Sequence, residues 1–152
     1  MNRRHFMMAG LTAATAVAAR KGPAQSANSK LNTAFIGVGG RGSYVMKGVK
    51  DLPGVNISAL CDIKPDRLDA AASAAAGHNP KTYRDWRDVI AQPDIDVVFI
   101  ATPCDLHVPM ALTAIDAGKH IYCEKPVGIR MDEIRWLYGA AKNYSKVFCV
   151  GQ

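Results

Sequence analysis

Across 152 residues, no apolar run approaches the ~20 residues that a membrane span needs. Aromatic residues make up only 7%, and no basic run is interleaved with them, which excludes a nucleic-acid interface. The four cysteines contain no C-x-x-C pair and no clustered metal ligands, so neither a metal site nor disulfides are expected. All four fall near strand ends and are expected to be buried thiols. From residue 28 onward there is no low-complexity linker and no internal repeat. Acid is missing altogether from residues 1–27, and that absence accounts for most of the net charge of +6. Without the Arg3, Arg4, Arg20 and Lys21 of this segment, 15 basic residues face 13 acidic ones. A basic protein seeking an acidic partner is therefore not what the charge describes.

Residues 1–27 have the layout of an export signal: a charged start, then weakly apolar Ala-rich sequence, then a small-x-small triplet at Ala16-Val17-Ala18. Arg3-Arg4 with Phe6 two places on resembles the twin-arginine signal, although Asn2 and Met7-Met8 depart from its usual residues. A basic amphipathic or uncleaved N-terminal helix is the alternative. The expectation is an export signal over 1–27, a periplasmic or otherwise exported product, and a nucleotide-binding domain over 28–152.

From Asn32 onward, short apolar runs alternate with helix-like stretches. Strands are predicted at Thr33–Val38, Val55–Cys61, Asp96–Ala101, His120–Cys123 and Val147–Val150. Helices are predicted at Ser43–Leu52, Asp66–Ala76 with Gly77 as its stop, Arg84–Ala91, Leu106–Ala117 stopped by Gly118, and Met131–Tyr144. Regular alternation of this kind, with strands apolar almost throughout, predicts an α/β fold with a doubly wound parallel sheet of Rossmann type.

Three constellations carry chemistry. The first is Gly37-Val38-Gly39-Gly40-Arg41-Gly42, a G-x-G-x-x-G between a strand and a helix, with Asp62 twenty residues beyond Gly42. Gly37 permits a tight turn, Gly39 lets the backbone approach a pyrophosphate, and Gly42 lets helix pack on strand. The amides of Gly40 and Arg41 then lie at a helix N-terminus, which favours phosphate. Asp62 is placed to accept from ribose hydroxyls and to repel a 2′-phosphate, favouring NAD over NADP, while the nearby Lys64 and Arg67 temper that preference.

The second is Thr102-Pro103-Cys104-Asp105-Leu106-His107 at the exit of the strand predicted at Asp96–Ala101, where open α/β sheets bind ligands. Asp105 or Thr102 is a candidate helix cap, and His107 is either a site residue or a helix-start residue bonded to backbone. The third is Glu124-Lys125-Pro126 at the exit of the next strand. Lys125 is expected to be held beside Glu124, partly buried with a depressed pKa, and the peptide before Pro126 is left open between cis and trans. A plain surface ion pair is the alternative.

In this order and spacing, the three motifs resemble the Gfo/Idh/MocA family of glucose–fructose oxidoreductase, inositol dehydrogenase and their relatives, over about residues 31–152. The resemblance implies that Gly37 to Gly42 and Asp62 hold the cofactor. It implies that Thr102, Pro103 and the stretch through His107 line its ribose and nicotinamide side. It further implies that Glu124 and Lys125 meet the nicotinamide ribose, and that Lys125 polarises a sugar or cyclitol hydroxyl during hydride transfer. A second α/β domain that binds substrate and relays the proton is expected beyond Gln152, so the chain is read as an N-terminal part, inactive alone. Full-length protein is expected to be a homo-oligomer. Export favours an NAD that stays bound. The alternatives are an NAD-dependent glycosidase of the same family and a stand-alone NAD-binding regulatory module.

Overall fold

The computed structural model describes residues 30–152, so the expected leader at 1–27 lies outside the described residues. A six-stranded, wholly parallel sheet has the order β3-β2-β1-β4-β5-β6. Its strands are β1 (Leu31–Ile36), β2 (Val55–Cys61), β3 (Lys81–Tyr83), β4 (Val97–Ile100), β5 (His120–Cys123) and β6 (Phe148–Val150). Helices α1 (Gly40–Val49), α2 (Pro65–Ala74), α3 (Trp86–Ile90), α4 (His107–Asp116) and α5 (Met131–Lys142) fill the crossovers. The order reverses between β1 and β4, which makes the topological switch of a Rossmann fold.

Alternation along the strands divides the core. Ala34 and Ile36 of β1 join Val98 and Ile100 of β4 and Ile121 and Cys123 of β5 on the face covered by α3, α4 and α5. Phe35, Ile57 and Leu60 point the other way, against Met46 of α1 and Leu68 and Ala71 of α2. On that second face Phe35 stacks on Phe99 with centroids 4.4 Å apart, and Phe99 meets Tyr122 at 5.4 Å. Covering both faces with helices explains why the strands carry so little polar alternation.

Two differences from the sequence expectations have local causes. β3 is absent from the predicted strands because its three residues, Lys81-Thr82-Tyr83, form a polar edge and not an apolar run. The helix after β2 stops at Ala74, and Gly77 lies inside a short 3₁₀ turn at Ala76–His78; the left-handed residue that turns the chain is Asn79, with φ 52°. Gly118 does end α4, with φ 67°. In β1–β2 the register shifts between Thr33 and Ala34, so Ser58 is the extra residue of a bulge, its hydroxyl donating to Asn32 Oδ1 at 2.9 Å.

Candidate cofactor site

A parallel sheet delivers every strand's C-terminal end to one edge, and here the ladder continues past the strands. The Gly37 amide donates to the Cys61 carbonyl at 2.8 Å, Ala101 to Ile36 at 2.8 Å, Glu124 to Ile100 at 2.9 Å and Gly151 to Cys123 at 2.8 Å. The glycine turn, Asp62, Thr102, Glu124 and Gly151 are thereby brought to one rim. A cavity of about 520 Å³ opens there, lined by Gly37, Gly39, Gly40, Arg41, Asp62, Thr102 and Pro103 among others.

The glycines are not equivalent. Gly37 has φ 83°, and a Cβ on it would stand 2.7 Å from the Ala101 carbonyl oxygen. A Cβ on Gly42 would overlap the Gly37 carbonyl oxygen, so this glycine sets the approach of α1 to the turn. A Cβ on Gly39 would meet only the Arg67 guanidinium, at 2.9 Å, on the cavity side. Gly40 has open space around it. No side chain caps α1; Ser43 Oγ instead donates to the Val38 carbonyl at 2.6 Å, which leaves the first-turn amides directed at the rim.

Asp62 is 7% exposed. Its Oδ2 accepts from the Val38 amide at 3.0 Å and its Oδ1 from the Lys64 amide at 3.0 Å, so the carboxylate ties the end of β2 to the glycine turn. Each oxygen keeps a lone pair for a further donor. Lys64, Arg67 and Arg84 line the same part of the cavity with Trp86. Arg84 and Trp86 escaped the sequence reading because they follow the unrecognised β3; that strand was the missing signal.

At the other end, Thr102 and Pro103 line the cavity, but neither Thr102 nor Asp105 caps α4. Thr102 Oγ1 points instead at Met110 Sδ, 3.5 Å away. His107 does not line the cavity. It is 1% exposed, with Nδ1 2.8 Å from the Pro126 carbonyl and Nε2 2.9 Å from the Thr102 carbonyl. Of the two readings, the structure has the backbone-bonded one: His107 straps the β4 exit to the β5 exit from beneath.

The Lys125–Pro126 peptide is cis. Glu124 is buried, but its carboxylate partner is not the Lys125 amine. Arg41 Nε donates to Oε1 at 2.7 Å, Tyr122 Oη donates to the same oxygen at 2.9 Å, and the Lys125 amide donates to Oε2 at 3.2 Å. Burial raises the Glu124 pKa, but the hydrogen bonds from Arg41, Tyr122 and the Lys125 amide outweigh it and hold it below its ordinary 4.5. Lys125 itself is exposed, and its Nζ has no partner among the described residues. The expected burial of Lys125 against Glu124 is therefore corrected: the carboxylate is already committed to Arg41 and Tyr122.

Burial pushes the thiols of Cys61 and Cys123 up to about 12. Cys104 is half-buried and Cys149 exposed, so the expectation of four buried cysteines holds for two. Among the described residues no group of His, Cys, Asp or Glu is arranged to hold a metal, and no helix is long and apolar enough to cross a membrane.

Residues 31–152 match a family described as an oxidoreductase family with an NAD-binding Rossmann fold. A protein named glycosyl hydrolase family 109 protein from Shewanella pealeana is 34% identical over 96% of this chain and 38% of its own length. The structure of myo-inositol 2-dehydrogenase from Lactobacillus plantarum superposes with a TM-score of 0.74 at 30% identity, over 81% of this chain and 36% of that one. Levoglucosan dehydrogenase, solved in complex with NADH and levoglucosan, gives 0.69 at 33% identity, over 80% and 35%. The chain thus spans little more than a third of the length of these proteins.

Proposed function

The chain belongs to the Gfo/Idh/MocA family of oxidoreductases, and from that premise we propose that it holds NAD along the rim of its sheet, as the cofactor half of a sugar or cyclitol oxidoreductase. The observation that carries this is Asp62: a nearly buried carboxylate, fastened to the glycine turn through the Val38 amide, with lone pairs still open to the cavity. The residues fit the group. Gly37 and Gly42 close the turn, Gly39 leaves the backbone bare on the cavity side, and the uncapped amides of Gly40 and Arg41 suit a pyrophosphate. When bound, the nicotinamide supplies the acceptor or donor of a hydride. Glu124 accepts from the ribose hydroxyls at that end. Thr102 and Pro103 form the wall, and His107 holds the two loops at their separation. Lys125 Nζ, exposed and unpartnered, donates to the hydroxyl oxygen of the substrate and orients it.

Asp62 favours NAD over NADP because a carboxylate repels a 2′-phosphate, while Lys64, Arg67 and Arg84 pull the other way. Titrating the chain with NADH and with NADPH, followed by nicotinamide fluorescence, tests both parts. NADH is expected to bind at least about tenfold more tightly, a difference of roughly 1.4 kcal/mol. Equal affinities overturn the preference, and no binding of either overturns the cofactor reading.

The substrate class follows the dehydrogenases of myo-inositol and levoglucosan named above. A second reading, a glycosidase that uses NAD, is favoured by the glycosyl hydrolase family 109 name of a 34% identical relative. Both use the same rim. Assaying the whole protein for release of an aglycone, against net reduction of NAD by a free polyol, separates them. We further propose export through the twin-arginine leader, retention of NAD on the exported protein, and assembly of the whole protein as a homo-oligomer.

A further inference from the structure

We propose that the side chain of Arg41 is a positioning residue for the nicotinamide-ribose end of the cleft, acting through Glu124 and not on phosphate; this rests on the NAD reading above. Arg41 lies in the first turn of α1, among the amides assigned to pyrophosphate, where an arginine would ordinarily be taken for a phosphate clamp. Its guanidinium is committed elsewhere. Nε donates to Glu124 Oε1 at 2.7 Å, Nη2 donates to the Gln152 carbonyl at 3.2 Å, and the guanidinium carbon lies 5.3 Å from the Tyr44 ring centre. The planar fork therefore faces β5 and β6, across the sheet from Asp62.

Glu124 has need of it. A carboxylate 4% exposed must find donors or lose its charge. Oε1 receives two, from Arg41 and Tyr122, which fixes its direction. Oε2 receives only the Lys125 amide, at 3.2 Å, and keeps the capacity to accept from a hydroxyl. Gly151 borders the arrangement from the β6 side, since a Cβ there would stand 2.6 Å from Tyr122 Oη and 3.0 Å from Glu124 Oε2. Arg41 and Tyr122 thus hold one oxygen of Glu124, and the missing side chain at Gly151 leaves room beside the other. Without Arg41 the carboxylate loses its charged donor and its fixed rotamer together.

The test uses the full chain and two ligands. ADP carries the adenosine and pyrophosphate of NADH but lacks the nicotinamide ribose. Calorimetric titration of wild type, R41Q, R41K and E124Q with each ligand separates action through Glu124 from action on phosphate. R41Q is expected to weaken NADH about tenfold and to change ADP by less than about twofold. R41K, which restores a charged donor, is expected to recover most of the NADH affinity. The double variant R41Q/E124Q is expected to bind NADH no more weakly than E124Q, as two members of one contact should. Equal losses for NADH and ADP in R41Q would show a direct phosphate contact and overturn the proposal, as would NADH binding unaltered by R41Q. Wild-type chain that binds neither ligand overturns the cofactor reading and this proposal with it; wild type that binds both leaves only Arg41 in question.

Discussion

Gly40 and Gly42 stand two residues apart in the same turn and bear opposite steric loads. Any side chain on Gly42 collides with the Gly37 carbonyl, whereas Gly40 has nothing nearby. Gly42→Ala is expected to destabilise the chain by roughly 1–3 kcal/mol and to displace the turn. Gly40→Ala should stay within about 0.5 kcal/mol of wild type. Urea unfolding of both variants measures the contrast, and equal midpoints would contradict it. The motif already set Gly42, a packing glycine, apart from Gly40, which fills an x position; the path of the backbone past Ala101 and Gly37 shows how tight that packing is. For His107 and Lys125, the residue types marked the region, yet which one is buried depends on how two loops pack. Arg41 was the unreadable partner of Glu124, because nothing local in the chain joins position 41 to position 124.

At the scale of elements, the predicted spans of β2 and β5 coincide with the observed strands, since both are bounded apolar runs. Ends set by tertiary contact were less legible. α1 begins at Gly40 and not Ser43, because the turn itself winds into the helix, and the edge strand β3 has no apolar signature at all. The opposite edge carries a pH dependence. The Val147 amide donates to His120 Nδ1 at 3.1 Å, a bond that exists only while that nitrogen is unprotonated. Burial, followed by the Lys146 charge, lowers the His120 pKa below its ordinary 6.5. A depressed histidine pKa means the unfolded chain takes up the proton first on acidification. The stabilisation is therefore whole above about 6.5 and is lost as pH falls through the folded-state value. Hydrogen exchange at β6, compared between pH 7.5 and 5, should show protection falling there before it falls in β1 or β4, after correction for the intrinsic rate. His120→Gln should remove the difference.

Over the whole molecule, the parallel sheet and the division of the core between two faces follow from strand–helix alternation, which is why the Rossmann architecture could be read before any contact was known. The aromatic row of Phe35, Phe99 and Tyr122 could not, since it joins three strands whose adjacency is set by sheet order. The placement of the two tryptophans has an optical consequence. Trp86 is half-buried in the cavity wall, with the Arg87 guanidinium 4.5 Å from its ring, while Trp136 lies 65% exposed on α5. One indole thus borders the part of the cavity assigned to the adenosine, beside Asp62 and Arg84. Titrating with ADP and reading tryptophan emission should report occupancy of that end directly. Trp86→Phe should remove most of the change and Trp136→Phe should spare it, so the protein carries an intrinsic optical reporter at the adenosine end of its own site.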